Sequence, residues 1–332
     1  MKKMLSLILA LVLAATCLSG VVFADDPLAE VTVNGETTVV TTVQEMRDAT
    51  KNQEGTTKIK LLNDITFHTT IEFHYTCYLD LNGHTVKSAK GNCIRVYNVG
   101  TVNPNFVIEN GTVIGTIMGL RIDKGGLIAK NCTFVAPSSV AVGIYEADTA
   151  YNDGNLIDGC TLIAGGGGCF SWHTDASVAT NTPQYGMDIK IQNSTLVQFS
   201  EGNNVLQTRT PESGNMVTLG ENVTIYVNQF TENFVNPSLI VKGTAYEKAE
   251  EGLKYTFGDT TYPNLAKYTN VVAQPEPPAA PAVPETPAAP TTPSVPSTTV
   301  PDAEVPKTGA SVIALGVMAM VSLAGAALTK KH

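Results

Sequence analysis

Side chains suited to ligand binding gather in the middle of the chain, where aromatic, cationic and acidic residues are interspersed. Aromatic faces stack on sugar rings, and carboxylates or arginines hold hydroxyl and uronate groups, so a carbohydrate groove needs both kinds. The candidate groove residues are Arg95, Arg121, Asp123, Tyr145, Glu146, Asp148, Trp172, His173, Asp175 and Arg209. Strand alternation points Trp172 and Glu146 inward unless a loop begins there, so a solvated ladder with a buried tryptophan is the competing interpretation.

No local motif for catalysis or metal binding accompanies these residues. Glycoside hydrolysis needs two carboxylates at a set separation, and no such pair is recognisable along the chain. Neither the histidines nor the acidic residues have the spacing of a zinc or calcium site. No cofactor is therefore expected, although carboxylates from different strands could still assemble a calcium site.

A repeat supplies the framework that must position the candidate groove. Six segments alternate apolar and polar residues, enter a turn and continue as a second short strand, with 21 to 34 residues between turns. Asn or Gly recurs at the turn because these residues tolerate a left-handed backbone bend. Stacked Asn side chains could also hydrogen-bond along the repeat. The turn residues are Asn82, Asn110, Asn131, Gly159, Asn193 and Asn222.

A further set of short strands follows these turns, and its alignment places Gly143 level with Gly119 and Cys169. Short strands joined by bends, with no helices between them, predict an all-β fold, a right-handed parallel β-helix or solenoid around a narrow apolar core. A β-sandwich is the rival fold, but it does not require Asn at the same bend in nearly every repeat. The long connections 136–155, 164–187 and 200–215 should project from one side, where binding sites tend to lie.

The start of the repeat carries a helix signal and a family resemblance. Two overlapping capping-box spacings, Thr41 with Gln44 and Thr42 with Glu45, predict a short N-terminal capping helix over the open first turn. Residues 58–65 followed by 79–86 resemble the opening turns of right-handed β-helix surface proteins, which are similar in fold to the pectate-lyase-like (pectin-lyase-like) superfamily. The resemblance covers roughly residues 40–245 and identifies architecture better than activity.

The resemblance implies two functions from different classes. One is a non-catalytic adhesin, a module that binds glycans or proteins. The other is a polysaccharide lyase or glycoside hydrolase, and a lyase would require an acidic calcium cluster with a basic proton abstractor. No family catalytic residue can be carried onto a matching position, so an enzyme is the less favoured hypothesis. A spacer or coat protein without a specific ligand is a third.

Cys132 and Cys160 fall at equivalent positions of neighbouring repeats, where Gly111, Ser194 and Val223 also fall. One interpretation is a disulfide or a thiol site. The favoured interpretation is an inward ladder of small side chains, because directly stacked strands rarely offer the dihedral angle of a disulfide. Most of the other cysteines that follow the N-terminal segment are expected to be small buried hydrophobes.

The N-terminal 24 residues have the pattern of a secretory signal peptide. Lys2 and Lys3 precede an apolar run that ends near Val22, and acidic sequence begins after Ala24, where cleavage is expected. An uncleaved membrane anchor is the alternative, but the run is short for a membrane span.

The C-terminus combines a pentapeptide, an apolar run over 310–329 and a cationic tail, Lys-Lys-His. This order resembles a sortase sorting signal (LPXTG-like), whose usual form begins with Leu where this chain has Val. The resemblance implies that a sortase attacks the Thr308 carbonyl and transfers Thr308 to a peptidoglycan amine, with a transmembrane helix holding the intermediate. A plain tail anchor would explain the run and the lysines but not the pentapeptide. The sorting-signal residues are Val305, Pro306, Lys307, Thr308 and Gly309.

The segment between the two processed ends is acidic and has a proline-rich C-terminal part. Removing the four terminal lysines from 21 basic residues leaves 17 against 30 acidic residues, a formal charge of −13 for 25–308. Such a surface argues against nucleic acid as a partner. Eleven of the 18 prolines lie between 275 and 306, which predicts an extended polyproline stalk of about 90 Å.

These features predict five regions and a location on the outer surface of a Gram-positive cell wall. They are a signal peptide (1–24), an N-terminal strand and helical cap (25–58), a parallel β-helix (59–273), a Pro/Ala/Thr-rich wall-spanning linker (274–304) and a sorting signal (305–332). The predicted partners are a sortase, peptidoglycan and a carbohydrate or host-surface ligand.

Overall fold

The computed structural model describes residues 26–51, 56–97, 105–145, 154–173, 187–209, 214–243 and 246–270. The predicted signal peptide, linker and sorting signal lie outside these residues. The described helix is α1 (Val43–Ala49). In chain order the strands are β1 (Ala29–Val33), β2 (Glu36–Val40), β3 (Thr57–Leu61), β4 (Ile65–Phe67), β5 (Ile71–Phe73), β6 (Tyr78–Asp80), β7 (Thr85–Ser88), β8 (Ile94–Val96), β9 (Asn105–Ile114), β10 (Leu120–Ile122), β11 (Gly126–Ala136), β12 (Val140–Tyr145), β13 (Leu156–Asp158), β14 (Thr161–Ala164), β15 (Gly168–His173), β16 (Asp188–Gln192), β17 (Thr195–Gln198), β18 (Leu206–Thr208), β19 (Met216–Leu219), β20 (Thr224–Asn228), β21 (Ile240–Gly243), β22 (Tyr246–Phe257) and β23 (Thr260–Asn270).

Three ladders of parallel strands run through the described residues. Ladder A joins β3, β6, β9, β11, β13, β16, β19 and β21. Ladder B joins β4, β7, the second halves of β9 and β11, β14, β17 and β20. Ladder C joins β5, β8, β10, β12, β15 and β18. The chain passes through A, B and C in turn, and we call one such passage a rung. The predicted all-β architecture is confirmed, with parallel sheets that are compatible with a solenoid.

The bend between ladders A and B is left-handed in every rung for which the repeat predicted one. The φ angles of Asn82, Asn110, Asn131, Gly159, Asn193 and Asn222 are 50°, 60°, 51°, 64°, 49° and 55°. Asn and Gly are the residues with the smallest penalty for this conformation. Asn222 Nδ2 donates to Asn193 Oδ1 at 2.9 Å, but Asn193 Nδ2 donates instead to Asp158 Oδ1 at 2.7 Å. The Asn stack is therefore interrupted at Gly159, and aspartate replaces the missing acceptor.

Strand alternation fills the space between the ladders with apolar side chains. Fully burying one Leu or Ile side chain contributes about 1.5–3 kcal/mol, so one well-filled column stabilises many rungs together. The inward column of ladder A is Ile59, Leu79, Ile108, Ala129, Ile157, Ile191 and Leu219, each at most 3% exposed.

An antiparallel hairpin covers the N-terminal edge of ladder A. Strand β1 pairs with β2 and, on its other side, with β3. Asn34 and Gly35 form the two-residue turn between β1 and β2, with φ of 51° and 87°, the conformation that a tight hairpin of this kind needs. The hairpin satisfies the backbone groups that the first parallel strand would otherwise expose.

The predicted helix is present as α1 and uses one of the two overlapping capping spacings. Thr42 is the N-cap, its side chain accepts from the Glu45 N–H, and Glu45 completes the capping box. The backbone N–H groups of Thr41 and Thr42 donate to the Glu45 carboxylate and lower its pKa. Gln44 instead donates to Asp48. The buried side chain of Met46 joins the main core.

At the C-terminal end, parallel pairing stops at β21 and a second antiparallel hairpin follows. Strand β23 lies between β20 and β22, inside the region predicted as parallel β-helix. Three register shifts bend β22. Tyr262 and Leu265 pack on Val135, Ile163 and Val197, which form an apolar strip on the outer side of ladder B.

The structure supports the packing interpretation of the cysteines, because the described cysteines are all free and buried. The Cys132 N–H lies 3.5 Å from Cys160 Sγ, and the Cys160 N–H donates to Ser194 Oγ at 3.1 Å. A hydrogen bond with Cys160 together with burial raises the pKa of Cys132. A protonated, inaccessible thiol is a poor nucleophile.

Candidate ligand-binding face

The outer face of ladder C brings most of the described candidate residues together. Because alternate residues of a strand face opposite sides, register stacks the outward side chains into columns. The first column is Glu72, Arg95, Arg121, Gly143, Ser171 and Gln207. The second column, two residues further along each rung, is His74, Tyr97, Asp123, Tyr145, His173 and Arg209.

Asp123 is the centre of a network that we call the arginine clamp, formed by Glu72, Arg95, Tyr97, Arg121 and Asp123. Arg95 Nε donates to Asp123 Oδ2 at 2.6 Å, and Arg121 Nε donates to Oδ1 at 2.5 Å. The Asp123 side chain is only 10% exposed. Since each carboxylate oxygen accepts from a different guanidinium group, the charge of Asp123 is fully compensated.

Tyr97 extends the clamp towards the first rung. The Arg95 guanidinium lies 4.0 Å from the centroid of the Tyr97 ring, and Arg95 Nη1 donates to the Tyr97 hydroxyl at 3.0 Å. That hydroxyl donates to Glu72 Oε1 at 2.7 Å. The hydrogen bond to Glu72, followed by burial, raises the pKa of Tyr97. Arg47 of α1 donates to the Glu72 carbonyl at 3.0 Å, so the network reaches the N-terminal helix.

Tyr145 connects the clamp to the next rungs. The Arg121 guanidinium lies 3.9 Å from the Tyr145 ring centroid, and the Tyr145 and His173 rings stack at 4.3 Å with an interplanar angle of 10°. Beside Tyr145, Gly143 contributes no side chain to the first column. Met118 fills that space, because a Cβ added at Gly143 would lie 2.6 Å from Met118 Cε.

Beyond Tyr145 lies a group that we call the polar cluster: Ser171, His173, Gln207 and Arg209. Ser171 and His173 are 0% and 3% exposed although both belong to the outer columns. Within the described residues, Ser171 Oγ, His173 Nε2 and Gln207 Oε1 have no hydrogen-bond partner. Buried polar atoms in folded proteins are nearly always partnered, so three unpartnered atoms on one face are unusual.

The electrostatic environment keeps His173 neutral. Burial lowers the pKa of His173 to about 3, and the positive charges of Arg209 and Arg121 act in the same direction. Arg209 is exposed and forms no ion pair with the described residues. A neutral imidazole offers one N–H donor and one acceptor.

Trp172 was wrongly predicted as a groove residue. It is fully buried inside the rung, and its Nε1 donates to the Met216 carbonyl at 3.1 Å. The inward direction that strand alternation gives is the correct one, since β15 continues past Trp172 to His173. The remaining six described candidates lie on the face. Glu146, Asp148 and Asp175 lie outside the described residues.

Ser171 and Gln207 were missed by the sequence prediction. Both lie within a strand of ladder C, where an outward polar side chain is easily taken for a solvated position. The alternation of inward and outward residues along β15 was the available signal for Ser171. Ser171 and His173 flank the buried Trp172, so both belong to the opposite, outward face.

Gly143 was aligned incorrectly. The prediction placed it level with Gly119 and Cys169, whereas the structure pairs it with Arg121 and Ser171. The shift of two residues preserves the inward and outward pattern, so alternation alone does not reveal it.

The described residues contain no group of three or more His, Cys, Asp or Glu side chains that could hold a metal ion. The same part of the chain has no helix long and apolar enough to cross a membrane. The apolar run predicted to span the membrane, 310–329, lies outside it.

No protein-family model, curated protein sequence or solved structure matches this chain.

Proposed function

We propose that this protein displays a right-handed parallel β-helix from a Gram-positive cell wall and binds a carbohydrate or host-surface ligand through the outer face of ladder C. Parallel ladders with a repeated bend support the β-helix, and right-handed coiling is the usual hand of parallel crossovers. The signal peptide, Pro-rich linker and sorting signal predicted from the sequence supply export, reach and covalent attachment through Thr308.

The observation that carries the binding proposal is the polar cluster. A buried donor or acceptor without a partner costs about 1–3 kcal/mol. A ligand that supplies hydrogen bonds to Ser171, His173 and Gln207 recovers this cost on binding. The stacked rings of Tyr145 and His173 add an aromatic surface beside these polar atoms, the combination that carbohydrate sites need.

The clamp favours binding over catalysis. A hydrolase needs a carboxylate free to act as acid, base or nucleophile. On the described part of the face the carboxylates are Asp123 and Glu72. Both accept hydrogen bonds from neighbouring side chains.

Binding is tested with the full chain, purified in a neutral detergent and exposed to a panel of plant, host and bacterial polysaccharides. We expect one class of polysaccharide to bind. Tyr145→Ala should weaken that binding at least tenfold, because it removes the aromatic surface. Lys190→Gln is the matched control, since Lys190 is exposed on β16 of ladder A and should bind normally.

The same incubations are assayed for new reducing ends and for the ultraviolet absorbance of unsaturated uronate products. Release of products from any polysaccharide would replace the adhesin proposal with the enzyme alternative. Equal loss of binding in Tyr145→Ala and Lys190→Gln would move the binding site away from ladder C.

Wall attachment is tested independently of the ligand. Thr308→Ala keeps the backbone carbonyl but removes the threonine side chain of the motif at the position where the sortase is expected to cleave. The variant should therefore leave the peptidoglycan fraction and remain extractable with detergent. Thr329→Ala, at the end of the predicted span, should stay covalently attached. Equal attachment of both variants would contradict the sorting-signal assignment.

A further inference from the structure

We propose that the polar cluster is a subsite for a tetrahedral oxyanion, a sulfate or phosphate group carried on a saccharide chain. This inference rests on the proposed function, since it names the chemical class of ligand that the outer face of ladder C recognises.

The four side chains of the cluster form a rectangle on two neighbouring rungs. Ser171 pairs in register with Gln207. The Arg209 N–H donates to the Trp172 carbonyl at 2.9 Å, which places Arg209 beside His173. Neighbouring strands lie about 4.8 Å apart, and same-face residues along a strand lie about 7 Å apart. All four side chains can therefore converge on one small group.

The donors match a tetrahedral oxyanion better than a planar carboxylate. Ser171 offers an O–H, neutral His173 offers an N–H, and Arg209 offers its guanidinium fork. These donors come from three separate side chains, and a sulfate or phosphate ester presents three free oxygens. A carboxylate has two oxygens in one plane and is satisfied by a single arginine.

Gln207 explains why the anion should belong to a saccharide. Its Oε1 is an acceptor without a partner in the described residues, and an oxyanion has no proton to give it. A hydroxyl group next to the anionic group can donate to this atom. A sugar ring provides hydroxyl and ester groups on adjacent carbons, so one residue can satisfy Gln207 together with the three donors.

Among the described residues the local charge around the cluster is positive, although the chain as a whole has a formal charge of −9. Arg209 is exposed, and Arg121 lies close enough to lower the pKa of His173. The nearest described carboxylate of the face, Asp123, is held by Arg95 and Arg121. Within the described ranges, Arg209 is therefore available to pair with an incoming anion. It lies on the solvent side of the subsite, and the buried side chains of Ser171 and His173 form the floor.

A bound oxyanion should change the titration of His173, which gives a direct reading of the subsite. In the described part of the chain, the charged groups that face the imidazole are Arg121 and Arg209, and Tyr145 stacks on it. Both arginines oppose protonation, whereas a bound anion favours it. The pKa of His173 should therefore rise when the subsite is occupied.

The experiment uses the full chain in neutral detergent with histidine labelled for nuclear magnetic resonance. The chain has five histidines, and His173→Gln identifies the resonance of interest. Potassium sulfate and potassium phosphate are titrated at constant ionic strength against chloride. We expect saturable shifts of the His173 signal with millimolar affinity and slow association, because the floor is closed to solvent. Arg209→Gln should weaken binding at least tenfold, while Lys190→Gln should change it less than twofold.

A comparison of saccharide ligands distinguishes the possible sources of the anionic group. A sulfated polysaccharide and a phosphate-bearing polyol polymer are compared with the same chains after removal of the ester groups, and with a uronate polymer. We expect the sulfated or phosphorylated chain to bind and its stripped counterpart to lose at least tenfold in affinity. Equal binding of the stripped chain or of the uronate polymer would overturn the proposal, as would equal weakening by Arg209→Gln and Lys190→Gln.

The two proposals fail in different ways. If polysaccharides bind to ladder C but neither inorganic anion shifts His173, the oxyanion subsite is wrong and the display function stands. If the inorganic anions bind through Arg209 but no polysaccharide binds, the subsite survives as an anion site and the saccharide partner is wrong.

Discussion

The arginine clamp and the polar cluster occupy the same two columns of ladder C, yet they treat their polar groups in opposite ways. In the clamp, Asp123 accepts from two guanidinium groups, and Tyr97 both accepts and donates. In the cluster, Ser171 and His173 are more deeply buried but carry polar atoms without partners in the described residues.

Under the proposed function, this contrast separates stability from recognition within one repeated framework. Satisfied polar networks hold neighbouring rungs together, whereas unsatisfied ones keep their hydrogen-bonding capacity for a ligand and lower stability until it arrives. Stacked rungs can carry both kinds of network because each rung contacts mainly its neighbours. The boundary lies at Tyr145, whose ring contacts Arg121 on one side and His173 on the other.

Removing the central carboxylate of the clamp should have the largest effect. Asp123→Asn leaves two partly buried guanidinium groups without a counter-charge, and we expect it to lower the free energy of unfolding by about 3 kcal/mol. Urea unfolding followed by circular dichroism measures this. Asp259→Asn is the matched control, since Asp259 is exposed in the turn between β22 and β23, and it should cost under about 0.5 kcal/mol. A cost for Asp123→Asn as small as that of the control would show that the clamp does not stabilise the fold.

The free energy of unfolding should depend on pH because His173 of the polar cluster is neutral in the folded protein. The pKa of His173 is about 3 in the folded protein and about 6.5 when unfolded. The unfolded chain therefore binds the extra proton between these values, and stability falls as the pH drops from about 6.5 towards 3. At pH 4 this loss should reach about 3 kcal/mol relative to pH 7.

His173→Gln supplies the comparison for the acid experiment, because glutamine does not titrate. The difference in unfolding free energy between pH 7 and pH 4 should be smaller in the variant by the same amount. Identical pH profiles for the two proteins would mean that His173 is not held neutral by burial.

Two single-atom changes compare the regions directly. Tyr97→Phe removes a hydroxyl that makes two hydrogen bonds and should destabilise the fold by about 1–2 kcal/mol. Ser171→Ala removes a buried hydroxyl that has no partner within the described residues, and it should be neutral or stabilising by up to about 1 kcal/mol. Thermal unfolding of both variants tests the contrast, and a destabilised Ser171→Ala would indicate that the cluster is structurally satisfied.

The smallest effect on stability is expected at Arg209. Its side chain is exposed, so Arg209→Gln should change the free energy of unfolding by less than about 0.5 kcal/mol. Unfolding in urea would check this before any binding measurement. A large loss of stability would place Arg209 among the structural residues and remove it from the proposed recognition surface.

Several features of the fold follow from the sequence because they depend on local backbone chemistry. A non-glycine residue with positive φ is most often Asn or Asp, so the recurrence of Asn82, Asn110 and Asn131 predicts the bend without knowledge of its neighbours. The capping box at Thr42 is equally local. A further local signal went unused: threonine follows the bend residue by two positions in five consecutive rungs. The threonines stack in register at 112, 133, 161, 195 and 224.

Both ends of the ladders depended on pairing between distant segments. The Asn34–Gly35 turn predicts a hairpin, but no local sequence feature predicts that β1 also pairs with β3, which follows the helix in the chain. Likewise β23 pairs with β20, and its apolar side chains pack on Val135 and Ile163, which lie about a hundred residues or more earlier in the chain. Such contacts form because they bury apolar surface that the stacked rungs leave exposed.

The sequence by itself determined the period, the bends and the inward apolar columns, because each rests on the conformational preference or hydrophobicity of individual residues. The tertiary structure decided which outward side chains meet. Arg95 and Asp123 are 28 residues apart, and the connection lengths vary from rung to rung, so their contact depends on register that period alone leaves free. The same register determines that the polar groups of the first rungs satisfy one another while those around His173 do not.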